Sequence, residues 1–143
     1  MSEEQEKRDL SALLWGIMIL MSGILLAIKP EYVTQILNGT KRFEFRTRIP
    51  TQKVSKIFIY CTSPVMAVVG EAEVKSIISL DPETLWKVTH AYAGISKEGF
   101  LKYFSGHKIA FAYELGKATA YKKNKPLSEY GMKGVPQSFV YTS

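Results

Sequence analysis

Gly39-Thr40-Lys41-Arg42-Phe43-Glu44-Phe45-Arg46 brings a glycine, a lysine, a glutamate and two arginines together directly after a helical pattern. From Arg42 to Arg46 charged and aromatic residues alternate, and successive side chains on a strand point to opposite faces. The stretch therefore predicts a strand with Phe43 and Phe45 on one face and Arg42, Glu44 and Arg46 on the other. The aromatic face enters a core; the charged face meets solvent or a ligand.

Toward the N-terminus, Ile24-Leu25-Leu26-Ala27-Ile28 is a short continuous apolar run, the pattern of a strand buried on both sides. Lys29-Pro30-Glu31 then opens a helix with proline at its first position, and Tyr32, Val33, Ile36 and Leu37 form its apolar stripe. Asn38-Gly39 supplies the stop. Strand and helix together deliver the chain to the charged stretch.

Toward the C-terminus, residues Val54 to Thr62 and Val65 to Ser79 are rich in β-branched side chains and are separated by Ser63-Pro64, which predicts two long neighbouring strands. Gly70 inside the second marks a bulge or a close backbone approach. Asp81-Pro82-Glu83 starts a helix, with aspartate as its cap. A second short helix is expected from Ser96 to Phe104, and His107 to Tyr121 returns to a strand pattern. Lys122-Lys123-Asn124-Lys125-Pro126 reads as a basic turn, followed by a short helical segment and a closing strand, Ser138 to Tyr141. These elements predict an α+β fold, a small β-barrel of about five or six strands with flanking helices.

A chain of 143 residues accommodates one domain with its own core. Residues 24–143 form that unit, and residues 1–23 are read as an N-terminal extension. With 46% hydrophobic and 22% charged residues the composition is that of a folded globular protein. Nineteen Lys and Arg against thirteen Asp and Glu leave a net charge of +6, which favours polyanionic partners. Cys61 is the sole cysteine, so no internal disulfide forms, and a reducing cytoplasm is the expected location. Its apolar neighbours Ile57 to Tyr60 mark it as a buried thiol.

No charged residue occurs from Leu10 to Ile28, which raises the question of a membrane span. Ser22-Gly23 interrupts the run, and Ile24 to Ile28 belongs to the first strand. The remainder, Leu10 to Met21, rises only about 18 Å as a helix, against a hydrocarbon core of roughly 30 Å. The flank Glu3 to Asp9 is mixed in sign and lacks the basic n-region of a signal peptide. A soluble protein is expected, with residues 1–20 as a short docked helix or an upstream extension of the reading frame.

No GxSxG elbow, HExxH pair, GxxxxGK[ST] loop or dinucleotide fingerprint is present, which removes the common hydrolase and nucleotide-enzyme classes. His90 and His107 have no metal spacing and read as helix-end and strand-start residues. Neither a metal nor a cofactor is expected. In the charged stretch, lysine can meet phosphate as a point charge, whereas arginine can pair with it through two donors or stack on a base. Glu44 can accept from amino groups on a base edge or orient a neighbouring cation. The same residues also fit a solvated strand face with cross-strand ion pairs.

Gly39-x-Lys41-x-x-Glu44-x-Arg46 resembles the GxKxxExR signature of the ASCH domain, a branch of the PUA-like superfamily. Leu25 to Pro30 and Pro136 to Tyr141 are similar to the family's first and last strands, so the resemblance covers residues 24–141. It implies a barrel with a cleft where the motif strand, the preceding helix and neighbouring loops meet. Lys41, Glu44 and Arg46 become the cleft residues, with Thr62, Ser63, Glu71 and Gln137 added as polar groups near predicted strand ends. The family is associated with RNA binding, with transcriptional coactivation and, in some bacterial members, with hydrolysis of N4-acylated cytidine. That last subgroup carries a threonine where this chain has Glu44, and an acidic residue in a region that here reads Tyr92 to Ser96. The departure argues against acyl transfer by the same route, because an opposite charge beside Lys41 favours its ammonium form.

The resulting expectation is a module that binds RNA or a modified nucleotide, in transcription- or translation-linked regulation, with Lys122, Lys123 and Lys125 reaching along the backbone. The alternatives are an enzyme using Lys41 and Glu44 catalytically on acylated cytidine or on RNA, and a coactivator-like domain whose cleft holds a protein partner.

Overall fold

A computed structural model describes residues 2–6, 23–132 and, for the backbone alone, 139–142. Strand β1 (Gly23–Ile28) leads into helix α1 (Pro30–Leu37) and strand β2 (Phe43–Arg46). Strands β3 (Lys56–Cys61) and β4 (Ala67–Leu80) follow, then helices α2 (Pro82–Thr89) and α3 (Lys97–Tyr103) joined through a 3-10 turn at His90–Tyr92. Strand β5 (Ala110–Lys125), a second 3-10 turn (Leu127–Tyr130) and strand β6 (Phe139–Thr142) complete the chain. The expected helix at 10–21 and the site candidate Gln137 lie outside the described residues. Among the described residues no helix is long and apolar enough to cross a membrane.

The six strands form one sheet in the order β2-β5-β4-β3-β1-β6. β1 and β3 run parallel, joined by the crossover through α1, and every other pair is antiparallel. A flat sheet would hold β2 and β1 about 19 Å apart, four steps of strand spacing. Yet the Arg46 side chain on β2 donates to the Ala27 carbonyl on β1 at 2.9 Å. The sheet therefore curls until its β2 edge faces β1, which makes the α+β half-barrel.

Strong twisting of this kind needs irregular ladders, and the long strands have them. Register slips at Val68/Gly70, Ala72/Val74 and Val74/Ser76 break the β4–β5 pairing. Gly70 is both a bulge and a close approach, since a Cβ there would collide with the Thr119 carbonyl.

β1 is buried on both faces, as its uninterrupted apolar run requires. Ile24, Leu26 and Ile28 join Val33 and Ile36 of α1 and Ile57, Ile59 and Cys61 of β3 inside the curl. Leu25 points the other way, with Tyr60 and Val68, under Tyr121, Leu127 and Tyr130. Each such aliphatic side chain contributes about 1.5–3 kcal/mol through burial. Burial also raises the Cys61 thiol pKa, so it is inert as a nucleophile.

A third cluster sits under the two helices: Phe45 meets Phe100 edge-on at 5.0 Å, with Leu85, Phe104, Ala110 and Ala112 around them. α2 starts where expected because Asp81 accepts from the Thr84 amide at 3.1 Å. Ser96 caps α3 in the same manner through the Gly99 amide.

One element differs from expectation. Lys122 to Lys125 is not a turn: β5 runs on through Lys125, which pairs with Val68 of β4. Ladder hydrogen bonds to a partner of 14 residues outweigh the local turn preference of a Lys-Asn-Lys run. Lys125 folds back over the Tyr121 ring at 4.4 Å, as residues four apart share a strand face.

Candidate functional site

The seam where β2 faces β1 is lined on one side by Ala27, Ile28, Lys29 and Tyr32 and on the other by Lys41, Glu44, Phe45 and Arg46. Ile95 and the α3 residues Gly99, Phe100, Lys102 and Tyr103 close its remaining side. The cleft encloses about 620 Å³, within the range of sites for small molecules and single nucleotides.

Its floor is charged and buried. Lys41, just before the strand, is 2% exposed and Glu44 on it 5%, so Glu44 points into the curl instead of into bulk water, whereas Arg42 is exposed. Glu44 pairs across β2 and β5 with Tyr113, a fully buried residue, and its position in that register puts it on the inner face. Arg46 holds it there: one guanidinium nitrogen donates to Glu44 Oε2 at 3.2 Å and to the Ala27 carbonyl at 2.9 Å.

Lys41 is positioned by contacts that come from three separate segments, α1, the stretch after the 3-10 turn, and β2. Its backbone amide donates to the Gln35 carbonyl at 3.0 Å, which carries the chain out of α1. Its Nζ donates to the Ala93 carbonyl after the 3-10 turn. The same ammonium stands 4.9 Å from the Tyr32 ring centroid and 4.8 Å from that of Phe45. Aromatic faces attract a cation, and they do so more strongly where water is excluded.

Glu44 favours the ammonium form of Lys41, in the direction expected, but it is not the largest influence. Burial is the largest influence and lowers the Lys41 pKa; Glu44 opposes it, and Arg46 adds to it. Arg46, paired with Glu44, offsets part of that carboxylate's influence on Lys41. Lys41 therefore gives up its proton more readily than an ordinary lysine. Tyr32 and Tyr103 move the opposite way, burial raising both hydroxyl pKa values, so both remain donors.

The structure thus brings Lys41, Glu44 and Arg46 together, and it leaves the other described candidates outside the cleft lining. Thr62 touches the rim only through its backbone, donating to the Ile28 carbonyl at 3.0 Å, and Ser63 is exposed beyond it. Glu71 lies on β4 in an ion pair with Lys56 at 3.1 Å and accepts from the Tyr121 hydroxyl at 3.4 Å. Being near a predicted strand end did not place these groups at the seam, because the seam is one particular edge. Lys122 and Lys123 are exposed on the far part of β5.

Sequence reasoning missed Lys29, Tyr32, Lys102, Tyr103 and the Ala93 carbonyl. Lys29 and Tyr32 flank the proline that opens α1 and were legible as neighbours of the motif. Lys102 and Tyr103 are some sixty positions away on a short helix, with no local sign of a site. Among the described residues no group of three or more His, Cys, Asp and Glu is arranged to hold a metal ion.

A half-barrel with a parallel β1–β3 pair, a crossover helix and a cationic seam defines the PUA-like class of small α+β domains. The chain belongs to the ASCH domain family, whose model matches residues 26–132. The crystal structure of ASCH from Zymomonas mobilis superposes with a TM-score of 0.77 at 30% identity, covering 85% of this chain and 87% of that one. A point mutant of the same protein gives 0.77 at 29% identity, covering 85% and 90%.

A Zymomonas mobilis relative described as an ASCH domain-containing ribonuclease is 37% identical over 91 residues, 63% of this chain and 62% of the relative. Two Ureaplasma parvum proteins contain a similar stretch. One is an ATP synthase subunit alpha, 32% identical over 119 residues, 82% of this chain and 15% of that protein. The other is a large ribosomal subunit protein uL22, 34% identical over 101 residues, 71% of this chain and 32% of that protein. The chain spans less than two thirds of the length of each of these three relatives.

Proposed function

We propose that this domain acts on single-stranded RNA, with one nucleotide seated in the seam between β1 and β2. The observation that carries the reading is the buried Lys41–Glu44–Arg46 group at the floor of a cleft whose rim is cationic. Lys29 and Lys102 are exposed on that rim, so four cations surround a single carboxylate. Such an excess attracts a phosphate, and Tyr32 and Tyr103 offer ring edges and hydroxyl donors to a base or ribose. The net charge of +6 and the ribonuclease relative support a polyanionic ligand.

Binding is tested with short fluorescently labelled RNAs at low and rising salt. Affinity falls as salt rises, and Lys41→Ala weakens binding by about tenfold or more. Absence of binding to any RNA at low salt would remove the reading.

The lowered pKa of Lys41 favours a second role for the same site, RNA cleavage. A neutral amine within reach of a ribose 2′-hydroxyl can take its proton as that oxygen attacks the adjacent phosphorus; the P–O5′ bond breaks, a 2′,3′-cyclic phosphate forms, and water protonates the leaving 5′-oxygen. Incubating labelled RNA with the protein in the presence of a chelator tests this directly. Cleavage that persists in chelator and disappears in Lys41→Ala supports it; intact RNA after long incubation leaves binding alone.

A further inference from the structure

Behind Lys41, on the side away from the cleft, lies a second concavity of about 480 Å³. The end of α1 (Leu37, Asn38, Gly39) forms one wall, and the β4–β5 pair (Lys75, Gly116, Lys117) forms the other. Lys41 lines both cavities, so the two meet at this residue. The ionisable residues of this second lining are Lys41, Arg42, Lys75 and Lys117, all cationic. Glu73 stands beside the wall with its carboxylate turned to the Lys117 amide at 3.4 Å.

A helix C-terminus normally repels anions through its unpaired carbonyls. Here three carbonyls of the last turn are already paired: the amides of Asn38, Gly39 and Lys41 donate to Thr34, Ile36 and Gln35. Gly39, at φ +85°, leaves open space where a Cβ would stand. The wall thus has part of its acceptor field taken up and no side-chain bulk at Gly39.

Arg42 is fixed as a recognition group. Its amide donates to the Tyr92 carbonyl and its own carbonyl accepts from the Leu115 amide, both at 2.9 Å. The guanidinium lies over the Tyr92 ring at 4.1 Å. Stacking engages the flat face and leaves the in-plane N–H fork for a phosphate.

We infer that this concavity is a second subsite, taking the phosphodiester link next to the nucleotide held in the cleft, with Arg42, Lys75 and Lys117 as its contacts. The inference rests on the RNA reading of the cleft. A strand that places one nucleotide against Lys41 brings its neighbouring phosphate past that residue to a pocket with three further cations and no lining carboxylate. The exposed Tyr92–Arg42 stack then offers the following base a platform.

The test compares a ribonucleoside monophosphate with single-stranded RNAs of two, four and six nucleotides, using the wild type and an Arg42→Gln, Lys75→Gln, Lys117→Gln triple variant. The wild type gains at least tenfold in affinity between the monophosphate and the tetranucleotide. The triple variant binds the monophosphate as the wild type does, loses that gain, and has a log affinity against log salt slope lower by about 0.7, the share of one neutralised phosphate on a single strand. A wild type that binds the monophosphate with no gain from length overturns the subsite and leaves the cleft standing. Retention of the full gain in the triple variant also overturns it, as does its loss in a Lys122→Gln, Lys123→Gln, Lys125→Gln variant instead. A wild type that binds neither monophosphate nor oligonucleotide overturns the cleft reading and the subsite together. All three exchanged side chains are exposed, so unchanged thermal unfolding separates lost contacts from a lost fold.

Discussion

A Cβ on Gly94 would stand 2.8 Å from both Cγ and Cδ of Lys41, so the glycine forms one wall of the slot that the lysine side chain occupies. Gly94 also has φ +67°, a conformation that costs other residues about 1–3 kcal/mol. Gly94→Ala is therefore expected to push the Lys41 side chain off the Ala93 carbonyl. RNA affinity falls by about tenfold, and unfolding in urea shows a loss of about 1–3 kcal/mol. Unchanged affinity in a folded variant would show that the position of Lys41 is immaterial.

Burial lowers the Lys41 pKa, so the folded state releases this proton at a lower pH than the unfolded chain, whose lysine titrates near 10.5. Between the two values the unfolded state binds more protons, and this group's contribution to stability rises with pH. Below the folded value its destabilising effect is full and constant. RNA affinity should change in the opposite sense, weakening as pH rises through the lowered Lys41 value because the ammonium is lost. In Lys41→Met that limb is absent from the binding curve. The variant is expected to unfold no earlier than the wild type, since Arg46 still neutralises Glu44 and a buried charge has been replaced by an apolar chain of similar length.

Arg46 closes the seam through two acceptors on different strands, Glu44 on β2 and the carbonyl of Ala27 on β1. Arg46→Ala leaves a buried carboxylate without its ion pair and a half-buried carbonyl without its donor. A destabilisation of about 3–5 kcal/mol is expected from denaturant unfolding. Adding Glu44→Gln should recover part of it by removing the stranded charge. A double variant as unstable as the single one would refute the ion-pair account.

Phe100 holds α3 against the motif strand, edge-on to Phe45 at 5.0 Å and tilted against Trp86 at 5.1 Å. Phe100→Leu keeps the surface apolar but loses ring contacts and volume. It is expected to cost about 1–3 kcal/mol in thermal or chemical unfolding and to weaken RNA binding, because Lys102 and Tyr103 of the cleft follow on the same helix.

Much of the fold was legible because its signals are local. The apolar run at Ile24 to Ile28, the Pro30 helix start, the Asp81 cap and the bulge at Gly70 each depend on neighbours a few residues away, and each element appears where the pattern puts it. The basic run at Lys122 to Lys125 was misread for the opposite reason. Its conformation is set by pairing with β4, a partner more than forty positions earlier.

The same division runs through the site. Sequence alone put Glu44 and Arg46 on one strand with Lys41 just before it, and the resemblance these residues carry centred attention on one edge of the sheet. Whether that edge was a solvated face or the floor of a cleft depended on sheet curl, and curl comes from bulges and core packing summed over five strands. Tertiary structure also decided the chemistry. It buried Lys41, turned Arg46 onto Glu44, and supplied Ala93, Lys102 and Tyr103 from distant segments. Proton affinity responds to solvent exclusion and to every charge within reach, and neither is written in the spacing of residues along a strand.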